Sequence, residues 1–144
     1  MRTRLTHSLE VSTVARDLAY NVANELCKEG TLATGLDYPS QISTIAATCG
    51  LIHDIGNPPF GHSGEEAIKT WFQKKIGNKG DEIDKIKNFT PQQSNDFLEF
   101  EGNAQTLRLI AKLQVLADTY GLNLTYATLS ASCTYLAPSG SDYI

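Results

Sequence analysis

Gly56-Asn57-Pro58-Pro59-Phe60-Gly61 is a six-residue stretch through which neither a helix nor a central strand can run. Proline lacks the amide hydrogen that both structures need, and each glycine weakens whatever regular element it interrupts. On both sides of this break the apolar residues recur at helical spacing. Residues 41–54 place Ile42, Ile45, Ala46, Cys49, Ile52 and His53 at i, i+3, i+4 and i+7, on one face. Residues 63–77 predict a further helix with Ala67, Ile68, Trp71 and Phe72 on its inner face. The longest periodic segment comes first, over residues 5–28, where Val11, Val14, Ala15, Leu18, Val22 and Leu26 form a wide apolar stripe. His7 lies one turn before Val11 on that stripe, and Gly30 stops the helix. A fourth helix is expected over 102–120, ended by Gly121. A fifth runs from an N-cap at Thr125 to about 136. Residues 31–40 read as a loop. Residues 77–97 are polar and charge-rich, a solvated loop or insertion with room for a short helix. No segment alternates with period two, so the fold class is all-α, with about five main helices.

A chain of 144 residues is one domain's worth, large enough to bury roughly 68–70% of its unfolded surface. Twelve basic residues against sixteen acidic ones, net −4, exclude a large basic surface but not a local basic pocket. No apolar run is long enough for a bilayer, and the first residues carry no apolar signal segment. Cys27, Cys49 and Cys133 are odd in number and widely spaced, unlike a disulfide framework or a zinc ribbon. They read as reduced thiols, and the expected location is cytoplasmic.

The chemistry concentrates in three histidines. His7 and His53 sit on apolar helix faces, and His62 follows the break with Glu65 three residues on. Taken singly, each candidate has a plain structural reading. An imidazole on an apolar stripe is usually a satisfied core group. Glu65 is a first-turn acid favoured by the helix dipole. Arg4 is an exposed terminal residue, and Asn103 a helix-start residue. Together they read differently, because Asp54 directly follows His53. Imidazole and carboxylate ligands suit a divalent ion, and catalytic sites of this kind keep positions open for water and substrate. Gly61-His62-Ser63-Gly64 is no nucleophile elbow, since no strand precedes it.

Four stretches, residues 2–11, 50–68, 100–105 and 121–129, carry a resemblance. Centred on His53-Asp54 and the peptide running from Gly56 to His62, they resemble the HD-domain phosphohydrolases. More narrowly they resemble the deoxyguanosine triphosphate triphosphohydrolases (dGTPases) and their dNTP-hydrolysing relatives, and they occur in that family's order. The resemblance implies an HD-domain helical core in which residues 1–144 are a partial domain, truncated at both ends. It makes His7, His53 and Asp54 three of four metal ligands, and the fourth, an aspartate on a later helix, is matched by neither Asp118 nor Asp142. His62 matches the catalytic histidine, Glu65 its acidic partner, and Arg4 a phosphate contact, while Asn103 and Gln105 match a motif near the substrate pocket.

The reaction so implied cleaves the bond between the α-phosphate and the 5′ oxygen, releasing deoxynucleoside and tripolyphosphate. A sugar alkoxide leaves poorly, and a histidine can supply the proton it needs near neutral pH. An acidic partner favours the imidazolium, and an arginine offers phosphate a planar fork. The implied cofactor is a divalent metal ion, manganese or magnesium foremost, with iron, cobalt and nickel as alternatives. The implied partners are dGTP or another dNTP and further copies of the chain in a hexamer-like homo-oligomer. Single-stranded DNA is bound by some relatives, and no membrane is expected. Two alternatives stand beside this reading: another HD-domain phosphohydrolase acting on a phosphomonoester or phosphodiester, and a catalytically idle nucleotide-binding fragment or subunit.

Overall fold

The computed structural model describes residues 3–33, 35–77, 89–114 and 120–134, and no described residue lies in a strand. The helices are α1 (Arg4–Lys28), α2 (Tyr38–Ile52), α3 (His62–Gly77), α4 (Pro91–Leu98), α5 (Gly102–Arg108) and α6 (Tyr126–Ser132). Local chemistry sets their starts. Thr3 and Thr6 cap α1 reciprocally, the Thr3 hydroxyl accepting from the Thr6 amide at 3.2 Å and the Thr6 hydroxyl from the Thr3 amide at 2.9 Å. Asp37 caps α2 through the Ser40 amide, and Pro39 sits in the first turn, where its missing N–H costs nothing. The helix therefore starts within the segment expected to be a loop up to residue 40.

The main helix–helix contact joins α1 to α2, and it uses only part of the expected apolar stripe: Val11, Ala15 and Leu26 are half-buried. Val14, Leu18 and Val22 are 58%, 62% and 58% exposed. The packed face is made of small residues, with Ser12, Ala15 and Ala19 half-buried and Ala23 buried. Ser12 donates its hydroxyl to the Ala47 carbonyl at 2.7 Å. Short side chains let the two backbones approach closely. A methyl group added at Gly50 would lie 2.9 Å from Ser12 Cα and 3.1 Å from the Val11 carbonyl oxygen. On an open helix surface Gly→Ala stabilises by up to about 1 kcal/mol. Here the sign reverses: Gly50→Ala is expected to cost about 1–3 kcal/mol through overpacking, read as a lower urea midpoint at unchanged slope. This contact carries His7 on α1 to His53 at the end of α2.

On α3 the expected inner face holds in part. Phe72 stacks on Phe97 of α4 with centroids 4.3 Å apart, and Phe97 stacks in turn on Phe89 at 5.1 Å. Trp71 meets Phe72 edge-on but stays 46% exposed, and Ala67 is exposed. Helix α4, capped by Thr90 and Gln93, is a short helix at the end of the segment expected to be a loop with room for one. The charged residues 81–87 lie outside the described residues.

The fourth expected helix is interrupted at Gln114, and its expected residues 115–119 lie outside the described residues. Helix α5 widens into a π-helical turn at Leu109–Leu113, and Gln114 leaves the helical region at ψ 68. The carbonyl of the fully buried Ile110 is taken by the Leu122 amide at 2.8 Å as the chain folds back through Gly121 (φ +65). An acceptor claimed from outside the helix is one way such a widening arises. Thr125 caps α6 as expected, and the helix ends at Cys133, before the expected 136.

Candidate active site

Three side chains converge where α1 passes the end of α2. His53 is the C-cap of α2, Asp54 follows it, and His7 comes from the first turns of α1. His53 Nδ1 lies 2.7 Å from the Gly50 carbonyl oxygen, which can only accept, so Nδ1 carries the hydrogen. The lone pair is then on Nε2, 3.2 Å from Asp54 Oδ1. His7 Nε2 is 3.7 Å from Asp54 Oδ2, and the two imidazoles meet edge to face at 5.3 Å. One ligand atom from each of the three residues lies within 4.8 Å of the others, and all three residues are half-buried.

This arrangement fits a single divalent ion. Two ligands at right angles, each about 2.1 Å from the ion, are about 3 Å apart, close to the His53–Asp54 spacing. A ligating histidine normally gives its second nitrogen to a carbonyl or carboxylate, as His53 does with Gly50. Side-chain exposures of 44% for His7, 34% for His53 and 31% for Asp54 leave room for water and substrate.

The proline-rich break delivers the next group. The chain turns back on itself through Asn57 N–H to the Asp54 carbonyl and Gly61 N–H to the Pro58 carbonyl. Phe60 (φ 69) and Gly61 (φ 57) are both left-handed, a conformation a bulky residue adopts only when its surroundings impose it. Helix α3 then opens on His62. Its Nδ1 donates to Glu65 Oε2 at 2.9 Å, and Glu65 Oε1 accepts the Gly102 amide at 2.9 Å. Glu65 is 7% exposed, whereas the His62 side chain is 95% exposed. The Glu65 hydrogen bond and charge raise the His62 pKa above 6.5, with smaller contributions from Glu101 and Asp54. The bond from His62 lowers the Glu65 pKa, and the Gly102 amide adds to that. The result is an imidazole held by its Nδ1 edge, with the opposite edge turned to solvent.

The remaining expected residues are placed as follows. The exposed Arg4 donates to the carbonyls of Asn57 at 3.2 Å and Pro58 at 2.8 Å, so it clamps the turn. Asn103 is exposed and tied to Glu101, the N-cap of α5, by its side chain at 3.1 Å and its amide at 2.8 Å. Gln105 is half-buried on the same helix. Four further residues matter that composition and spacing did not single out. Glu101 caps α5 and adds to the field on His62. The buried Thr106 hydroxyl accepts the Gly56 amide at 3.0 Å and lies 3.2 Å from the Gly102 carbonyl. A methyl on Gly102 would overlap Asn57 Oδ1 and crowd Glu65, so only glycine fits there. Asn57 Nδ2 donates to Asp54 Oδ1 at 2.9 Å. The contacts of Gly102 with Glu65 and of Thr106 with Gly56 link positions 37 and 50 residues apart, which periodicity cannot register.

The HD domain family model matches residues 4–90 of the chain. Among curated proteins, the chain is 47% identical over 140 residues to a deoxyguanosinetriphosphate triphosphohydrolase-like protein of Listeria monocytogenes, covering 94% of this chain and 30% of that protein. It is 44% identical over 135 residues to a protein of the same description from Pseudomonas aeruginosa, covering 94% and 29%. A deoxyguanosinetriphosphate triphosphohydrolase of Yersinia pestis is 37% identical over 161 residues, covering 96% and 31%. The chain thus spans about a third of the length of these relatives.

Proposed function

Since the chain belongs to the HD-domain family, we propose that it carries the metal- and proton-handling portion of a dNTP triphosphohydrolase acting on dGTP or a related dNTP. The observation that carries this reading is the pairing of a His7–His53–Asp54 cluster with the exposed His62–Glu65 dyad across one short turn. The names of the relatives supply the substrate class. A bound divalent ion, manganese or magnesium foremost, supplies polarisation of a phosphate oxygen and acidification of bound water.

The chain's own residues do the rest. His53, its tautomer set by the Gly50 carbonyl, presents Nε2 alongside His7 and Asp54 as ligands. His62 holds a proton on its solvent-facing edge and gives it to the 5′ oxygen as a water oxygen adds to the α-phosphorus and the bond from phosphorus to that 5′ oxygen breaks. Glu65 keeps the ring oriented and charged until then. Arg4 uses two guanidinium contacts on the turn and offers its other N–H groups to phosphate oxygens. Asn103 and Gln105, on α5 beside the dyad, lie near the substrate pocket. No described helix is long and apolar enough to cross a membrane, and a cytoplasmic location belongs to the same proposal.

Product identity tests it. The chain is incubated with manganese and each dNTP in turn, and the products are resolved by ion exchange. Deoxynucleoside and tripolyphosphate in equal amounts are expected. Release of pyrophosphate or single phosphate assigns a different HD-domain reaction. Nucleotide binding without turnover assigns the chain a binding role.

A further inference from the structure

We propose that Asn57 is a positioning residue of the metal centre, its side-chain amide fixing the rotation in which the Asp54 carboxylate faces His7 and His53. The proposal rests on the metal reading above.

Three groups lie against the Asp54 carboxylate: His53 Nε2 at 3.2 Å, His7 Nε2 at 3.7 Å and Asn57 Nδ2 at 2.9 Å. With its hydrogen on Nδ1, His53 offers a lone pair at Nε2, and His7 Nε2 as a ligand would offer one too, so neither donates to the carboxylate. Of the three, only Asn57 keeps a hydrogen to offer. Its amide is also the group whose orientation is best determined. Reversing it would set the amide oxygen against Asp54 Oδ1, acceptor on acceptor.

The backbone that carries this amide is held from both sides. Asn57 N–H donates to the Asp54 carbonyl at 3.2 Å, and its own carbonyl accepts from Arg4 at 3.2 Å. On the far side Asn57 Oδ1 packs where Gly102 has no side chain, and Gly102 in turn gives its amide to Glu65. Without Asn57, a carboxylate that is 31% exposed could turn toward water, and recovering the ligating rotation would be charged against metal affinity. Outer-shell partners of this kind are worth about 10–100-fold in affinity.

Manganese binding to the chain tests this, by isothermal titration and by electron paramagnetic resonance of the free ion. Asn57→Ala removes the donor, and Asn57→Leu removes it while keeping the branched shape. Circular dichroism and apo unfolding midpoints are recorded alongside. One manganese per unsubstituted chain is expected, with affinity about 10–100-fold lower in both variants at unchanged helicity. A merely structural role would move the midpoint and spare the affinity. Unchanged affinity in either folded variant overturns the positioning role and leaves the metal centre standing. Loss of helix in both variants before metal is added overturns it as well, making Asn57 a scaffold residue. No manganese site on the unsubstituted chain overturns the metal centre and this proposal with it.

Discussion

Replacing His62 with alanine is expected to slow tripolyphosphate release by about 10²–10⁴-fold, the range contributed by a positioned general acid, while manganese affinity stays unchanged. The side chain is 95% exposed, so its loss removes little packing. Its hydrogen-bond partner Glu65 keeps the Gly102 amide, so the dyad's other member is not stranded. Nothing in the His7–His53–Asp54 cluster is touched. The check is single-turnover product release beside a metal titration on the same sample.

A companion variant, Glu65→Gln, tests the proton itself. The raised His62 pKa comes chiefly from the bond to Glu65 and its charge. An imidazolium acid works while protonated, so the rate is full below the His62 pKa and falls as pH rises through it. Removing the negative charge lets that pKa drop toward 6.5. The basic limb of the pH–rate profile is therefore expected to move to lower pH, with the difference from the parent shrinking at acid pH. A basic limb that stays in place would separate Glu65 from the proton transfer.

Asp54→Ala is expected to act one step earlier and remove manganese binding and turnover together. Asp54 supplies the only carboxylate of the cluster among the described residues, and it meets both imidazoles, His53 at Oδ1 and His7 at Oδ2. Its loss should exceed the roughly 10–100-fold cost of an outer-shell partner, leaving two neutral nitrogens that bind the ion weakly. Equilibrium dialysis against manganese reads this directly. His62→Ala and Asp54→Ala form a diagnostic pair: the first loses the acid and keeps the ion, the second loses the ion and keeps the acid.

Much of this was legible in the residues. The Gly56-to-Gly61 break, the helices flanking it and the His53–Asp54–His62–Glu65 spacing follow from local rules, and local rules hold where each residue's partner lies within a turn or two. The reading went astray where partners are distant. The stripe through Val14, Leu18 and Val22 is apolar and helical in period, yet α1 docks through Ser12, Ala15, Ala19 and Ala23 because α2 offers Gly50 there. Hydrophobicity says which faces could be covered, whereas shape decides which face α2 can approach closely. Leu107, Ile110, Ala111 and Leu113 keep helical period toward residue 116, but the carbonyl of Ile110 is claimed by an amide twelve residues on. Asn57 reaches Asp54 within one turn, yet no periodicity marks it, and Gly102 acquires its role only when it is brought against Glu65 and Asn57.

The hydrogen-bonded path from His62 through Glu65 to the Gly102 amide has a thermodynamic reading. The proton affinity of a ring on the surface and the anchoring of the first turn of α5 share one coupling free energy, and coupling of that kind is reciprocal. A proton on His62 strengthens the demand for an ionised, immobile Glu65, and so secures α5. A ligand that presses α5 toward α3 raises the ring's hold on its proton, and one that draws α5 away loosens it. The anchoring of α5 and the acidity of the ring are thus two readings of one coupling free energy.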